Sequence, residues 1–274
     1  MTVGRGSEGN NATASIRRSP GDDRRGQRMN GDGYGADVEG FHAVTEAVAV
    51  GRVRRLTVES ARLRHDDYQR LVAAAEAGGA AITRVEDTRP LAATGAPQGV
   101  VAACRPLAYL DLDEAVGLAD PAVVLVLDHL QDPRNVGALA RSARATGVPV
   151  MAVPGRRSAP IGATAFKAAA GALEHVAVAQ VGSVADALVR LRSAGVWLVG
   201  LDGAAERSIL GLDLLTEPVA IVLGAEGEGI SRLVADRLDV VARIPMQPGV
   251  ESLNASVAGA IAMFEMARIR GWIS

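Results

Sequence analysis

The stretch Val219–Ala262, VAIVLGAEGEGISRLVADRLDVVARIPMQPGVESLNASVAGAIA, decides the fold. An apolar run from Val219 to Leu223 stops at the glycine-rich Gly224-Ala-Glu-Gly-Glu-Gly229, and a second run, Val240 to Ile244, stops at Pro245-Met-Gln-Pro-Gly249. Short apolar runs bounded by Gly and Pro read as buried strands, so two strands deliver two irregular loops, a usual way of placing a binding site on a rigid scaffold. After the second loop, Glu251-Ser-Leu-Asn254 leads into a helix of small residues from about Ala255 to Arg268. Short polar side chains at a helix start either cap it or hold a ligand, because the first backbone N–H groups there have no partner within the helix.

The glycine loop does not read as a phosphate cradle. Gly224-x-x-Gly227-x-Gly229 is neither G-x-G-x-x-G nor a Walker A, and it lacks a lysine. Glu226 and Glu228 would repel a diphosphate. An acidic loop rich in backbone groups suits a neutral or cationic ligand, and S-adenosylmethionine, a sulfonium without phosphate, meets that description. Taken alone, the loop is equally well explained as a tight strand-to-helix turn with solvated glutamates.

Further upstream, the apolar run Ala122–Leu130 is followed by Asp132-Pro-Arg-Asn-Val-Gly-Ala-Leu-Ala-Arg-Ser-Ala-Arg-Ala-Thr-Gly147. Asn135 is placed to cap a helix that carries Arg141 and Arg144 on neighbouring positions of one face. Three elements then stand in order: Asn135 to Arg141, Gly224-x-Glu226 after a strand, and Ser252-Leu-Asn254-Ala-Ser256 before the last helix. In this order and at these separations they resemble the three signature motifs of the SpoU/TrmH superfamily of RNA ribose 2'-O-methyltransferases.

Composition bounds the remaining possibilities. With 274 residues, 49% of them apolar, the chain is long enough for one large or two small domains. No segment resembles a signal peptide or an apolar membrane span, which leads to the expectation of a soluble, cytoplasmic protein. The single cysteine, Cys104, excludes an intrachain disulfide, and the four scattered histidines give no metal-ligand spacing, so no metal is expected. A net charge of −2 argues against a uniformly basic surface, so any RNA site is a local patch. Basic residues cluster at Arg52, Arg54 and Arg55, at Arg141 and Arg144, at Arg156 and Arg157, and at Arg268 and Arg270; Lys167 is the sole lysine.

Residues 1–37 are rich in Gly, Asn, Ser, Asp and Arg and read as a disordered tail. From Val38 helices and strands alternate: a helix over Gly40–Val50, a strand over Arg55–Glu59, a helix over Tyr68–Ala77, and strands over Ala81–Val85 and Gly99–Cys104. This is a small α/β domain, 38–104. Residues 105–121, bracketed by Pro106 and Pro121, read as a linker with one helical turn. Over 122–274, strands are expected near 122–129, 148–153, 175–180, 196–201, 219–223 and 240–244, with helices near 136–146, 163–171, 184–194, 230–236 and 255–269. Continuous apolar strands separated by helices imply an α/β fold with a mainly parallel sheet covered on both faces, and ligands bind such sheets at the carboxyl ends of the strands, where all three motifs fall.

The resemblance extends over roughly residues 38–270. Gly40-x-His42-x-Val44, Pro97-Gln98-Gly99-Val-Val-Ala102 and Val153-Pro-Gly-Arg-Arg-Ser-Ala-Pro160 resemble the branch that modifies a guanosine ribose in 23S rRNA. It implies an RNA substrate-binding role for the small domain, a trefoil knot in the C-terminal sheet, a homodimer and S-adenosylmethionine as cofactor. It also implies that Arg141 lies nearest the reacting hydroxyl, that Asn135 orients Arg141 or the ribose, and that Glu226, Ser252 and Asn254 shape the pocket. Backbone groups around Gly224, Ile244 and Leu253 would grip the cofactor. The last helix carries an apolar stripe, Val257, Ile261 and Phe264, that suits either a dimer interface or burial within one subunit. The other readings are a tRNA 2'-O-methyltransferase or a resistance enzyme of the same family and, from another class, a non-catalytic RNA-binding protein.

Overall fold

The computed structural model describes residues 33–250 and 252–273. Its first unit is a four-stranded sheet with helices on one face. In chain order the unit comprises β1 (Asp37–Glu39), α1 (Phe41–Ala49), β2 (Val53–Glu59), α2 (Asp66–Ala77), β3 (Ala81–Val85) and β4 (Val100–Cys104). The strands lie in the order β1-β4-β2-β3, with β4 antiparallel to both neighbours and β2 parallel to β3. Alternation sets the faces. Leu56 and Val58 of β2 and Val100 and Ala102 of β4 are buried with Val44 and Ala47 of α1, whereas Arg55 and Ala103 on the other face are exposed.

The second unit follows α3 (Leu112–Val116) and consists of β5 (Val123–Leu127), α4 (Pro133–Thr146), β6 (Val150–Pro154), α5 (Ala163–Ala169), β7 (Ala177–Val181), α6 (Val184–Ser193), β8 (Trp197–Leu201), β9 (Arg207–Ser208), β10 (Val219–Leu223), α7 (Arg232–Ala235), β11 (Val240–Arg243) and α8 (Ala255–Ile269). The seven strands run β7-β6-β5-β10-β8-β11-β9, and every neighbouring pair is parallel. Both faces are covered, as continuous apolar strands require. Val123, Leu125 and Leu127 of β5 face a core shared with α4 and α8, and Val124 and Val126 face a second core with Leu188 and Leu191 of α6. The expected strands and helices all occur; β1 and β9, too short to show a period, were not legible.

Two boundaries differ from the sequence expectation. Most of the expected tail, residues 1–32, lies outside the described residues. Its last part belongs to the fold: Tyr34 is buried, exchanges backbone hydrogen bonds with Leu107, and stacks near Tyr109 and Phe166. The expected linker is likewise packed rather than free. Leu110 N–H donates to Val178 O at the edge of β7, and Leu112 and Ala115 of α3 sit in the second core. Apolar residues spaced among polar ones hid this docking from a compositional reading.

Arg52, counted above in a basic cluster, is a core residue. Its guanidinium pairs with Glu174, both side chains at 5% exposure or less, donates to Gly35 O and Arg105 O, and lies 5.4 Å from the Phe166 ring centroid. The turn between α1 and β2, the residues before β1 and after β4, and the turn between α5 and β7 are thereby fixed to one another. Glu46 of α1 adds bonds to His175 (2.8 Å) and Arg144 (3.3 Å), and Lys167 of α5 holds Thr94 Oγ1 (2.9 Å) and the Ala96 carbonyl.

Candidate active site

All three motif loops leave the carboxyl ends of strands of the parallel sheet, β5 and β10 side by side and β11 one strand further on beyond β8. At the end of β5, Asp128 is 1% exposed; its carboxylate accepts the Ser231 N–H (2.8 Å) and binds His129 Nδ1 (2.5 Å), which ties this corner to the segment after β10. Asp132 then caps α4 by accepting the Arg134 N–H (2.8 Å), with Pro133 at the first helical position. Asn135 is therefore not the cap expected from the sequence. Asp followed by Pro three residues earlier is a stronger start signal, since proline has no N–H to leave unpaired. Asn135 lies inside the first turn, buried, with its side chain free for other partners.

The glycine loop folds back on itself. Ala225 and Gly229 exchange backbone hydrogen bonds (3.0 and 2.9 Å), and Gly227 and Gly229 adopt left-handed φ values of 80° and 69°. A Cβ on Gly224 would stand 2.0 Å from the Gly229 carbonyl carbon, so no side chain fits there. The turn presents Glu226, whose Oε1 accepts Asn135 Nδ2 (2.8 Å) and Asn254 Nδ2 (2.5 Å). Asn254 also donates to Asn135 Oδ1 (3.1 Å), while its own Oδ1 caps α8 at Ser256 N (2.9 Å) and Val257 N (3.3 Å). Three residues far apart in sequence thus close one triangle that pins the three loops together.

Beside the triangle is a cavity of about 670 Å³. Gly224, Glu226, Ile244, Ser252, Leu253 and Asn254 all line it, which is six of the residues expected from the sequence. Leu201–Ala204 and Met246 also line it and were missed. Leu201 ends β8 and residues 202–204 follow it, and only the sheet order, with β8 between β10 and β11, brings that strand end to the same mouth. No lysine or arginine is among the lining residues, whereas Asp202 and Glu226 are. Such a site has nothing to neutralise a phosphate; its apolar walls suit an adenine ring and its carboxylates a cation. The residues present therefore fit S-adenosylmethionine.

Arg141 is not brought to this cluster. Six residues along a helix place it about 9 Å further down and about 120° around from Asn135. It is exposed and has no hydrogen bond or ion pair among the described residues. Asn135 spends its amide on Glu226 and Asn254 rather than on orienting Arg141. His42, on α1, is exposed and lies edge-on to Phe41.

Comparison with known proteins agrees with this geometry. Residues 122–264 match the SpoU rRNA Methylase family, and residues 38–110 match the domain described as RNA 2'-O ribose methyltransferase substrate binding. The chain is 39% identical over 237 residues to the 23S rRNA (guanosine-2'-O-)-methyltransferase RlmB of Ralstonia nicotianae, covering 84% of this chain and 94% of that one. It is 37% identical over 241 residues to an uncharacterized tRNA/rRNA methyltransferase of Synechocystis, 85% of this chain but 62% of that longer protein. Among solved structures, the SpoU methyltransferase AviRb from Streptomyces viridochromogenes superposes with a TM-score of 0.72 at 25% identity, covering 86% of this chain and 89% of that one. The chain belongs to the SpoU family of RNA methyltransferases.

Proposed function

We propose that this chain methylates a ribose 2'-hydroxyl of a guanosine in 23S rRNA, with S-adenosylmethionine as donor. The observation that carries the reading is the convergence of three motif loops on one cavity free of basic residues, beside the Asn135–Glu226–Asn254 triangle. The likeness to the Ralstonia enzyme, which spans both domains, supports the choice of RNA. The bound cofactor supplies an electrophilic methyl group with a neutral thioether as its leaving group. The chain's task is therefore alignment, together with a route for the hydroxyl proton.

Backbone groups around Gly224, Ile244 and Leu253 grip the cofactor, and Ser252 and Asn254 face the ribose side. Glu226 holds Asn135 and Asn254 in register with one oxygen and keeps the other available, since Oε2 has no hydrogen bond among the described residues. Arg141 holds the adjacent phosphate and stabilises developing alkoxide charge; a guanidinium does not readily give up a proton and is not the base. Arg141 is not among the residues lining its own chain's cavity, so a second copy delivers it. Val257 and Phe264, exposed at 46% and 44% on α8, supply an apolar face for that dimer, while Gly259 on the other side packs on Leu139 and Leu223 within the chain. The insertion of β10 between β5 and β8 fits the trefoil knot that family membership implies. Among the described residues no helix is long and apolar enough to cross a membrane, and we place the protein in the cytoplasm with its ribosomal substrate.

Incubation with tritiated S-adenosylmethionine and separate unmodified 23S rRNA, 16S rRNA and tRNA tests the reading. Label on one 23S ribose is expected. Label on tRNA alone would move the chain to the tRNA-modifying branch, and none on any RNA would leave a binding protein. Arg141→Ala is expected to abolish transfer while cofactor affinity, measured by calorimetry, stays within about threefold of the unaltered chain.

A further inference from the structure

With a net charge of −2, the protein can hold RNA only through a local basic patch. The structure sorts the basic clusters. Arg52 is consumed in the core, Arg144 pairs with Glu46, Arg268 pairs with Glu265, and Arg270 donates to Leu215 O and Pro121 O and stacks on Trp272. Arg54 and Arg55 on β2, Arg141 on α4, and Arg156 and Arg157 remain, all exposed and with no side-chain partner among the described residues; of these, Arg156 and Arg157 are the adjacent pair carried on a loop of the large unit.

Their loop, between β6 and α5, is built rather than slack. Ala159 N–H donates to Leu130 O (2.7 Å), Gln131 Nε2 donates to Arg157 O (3.0 Å), and Ala159 and Ile161 are buried anchors. Arg157 itself adopts the left-handed φ of 55°, a conformation unfavourable for an arginine that the Gln131 bond and the two anchors hold in place. One end of the loop is thereby fastened to the segment that leads into Asn135. The other end runs into Ala163, which lines a cleft of about 790 Å³ on the open face of the small domain's sheet together with Arg55, Thr57 and Thr83. Lys167, one turn on, holds the small domain's own Thr94 and Ala96. The loop therefore spans the surface from the small domain to the motif corner, and Arg134, exposed on the first turn of α4, follows three residues after its anchor Gln131.

We propose that residues 155–162 form a phosphate-binding bridge, with Arg156 and Arg157 gripping the RNA backbone between the nucleotides held by the small domain and the ribose at the cavity. This rests on the reading of the chain as an RNA methyltransferase and names the surface that reading lacks. Phosphate contacts set register without reading sequence, which suits a strand led between two sites.

The test is the salt dependence of binding of the full chain to a 23S rRNA transcript. Each lost phosphate contact on single-stranded RNA lowers the slope of log affinity against log salt by about 0.7, so Arg156→Gln with Arg157→Gln should lower it by about 1.4. Cofactor affinity and thermal midpoint should be unchanged. Gln131→Ala keeps both charges but frees the Arg157 carbonyl, and a weaker affinity in that variant would show that the held geometry matters, not charge alone. A wild-type slope in the double variant overturns the bridge. If the unaltered chain still transfers methyl groups in that case, the transferase reading stands; if it transfers none while the double variant loses slope, the bridge stands and the transferase reading fails.

Discussion

At the seam between the two domains, Arg52 and Glu174 are shut away from water and the guanidinium is spread over a carboxylate and two backbone carbonyls. At the mouth of the cavity, Glu226 and Asn254 stand exposed, and two amides crowd onto one carboxylate oxygen while the other is left open. Both clusters join segments that are remote in sequence. The first is saturated and can only hold the molecule together, whereas the second keeps capacity for a ligand. Polar residues at a seam and at a site are thus told apart by what remains unpaired, not by residue type.

The largest stability effect tests the saturated cluster. Arg52→Ala should cost about 3–5 kcal/mol, because it strands a buried carboxylate, and urea denaturation would measure it. Arg52→Met combined with Glu174→Leu should restore most of the loss, since an apolar pair of similar volume needs no partner. A cost for Arg52→Ala below about 1 kcal/mol, the range of an exposed pair, would erase the contrast. At the cavity, Gly224→Ala should lower cofactor affinity by about 100-fold, or about 2.7 kcal/mol, because the new Cβ would collide with the Gly229 backbone. Calorimetric affinity within threefold of the unaltered protein would show that the loop opens freely.

Asn254 sharpens the comparison because it serves both purposes. Asn254→Ala should cost about 1 kcal/mol through the lost helix cap, while Asn254→Ser should keep the cap and still lose methyl transfer. Equal transfer by the serine variant would reduce Asn254 to a cap. The smallest effect lies at the edge of the seam, where the hydrogen bond from His175, with Arg144 nearby, holds the Glu46 carboxyl below its usual value of 4.5. A depressed carboxylate stabilises the fold above that value, and the contribution is lost as pH falls through the lowered one. Glu46→Gln should therefore be less stable by under about 1 kcal/mol at pH 7, with the gap closing below about pH 4.5. A gap that persists at pH 3 in thermal melts would assign the effect to packing.

The motif loops were legible because each follows an apolar run that could only be a buried strand, and because Gly224, Ser252 and Asn254 are residue types with a distinct backbone or capping use. Roles within the loops were less legible. Asn135 and Asn254 share a residue type and a place near a helix start, yet only Asn254 caps; Asp132-Pro133 had already claimed the other end. Likewise Arg52 and Arg156 look alike in a list of basic residues, and burial alone separates the core ion pair from the exposed loop.

The order of residues alone determined the alternation of strands and helices, the small and large α/β units, and the three loops at strand ends, because these depend on local periodicity and on breakers read within one window. Tertiary structure alone decided that the presumed linker packs into the fold, that β8 adds Leu201–Ala204 to the cavity, that Asn135, Glu226 and Asn254 meet, and that Arg141 stays exposed outside that cluster. Those outcomes depend on which strand lies beside which and on which helix face is buried, and both are settled by packing between segments about a hundred residues apart.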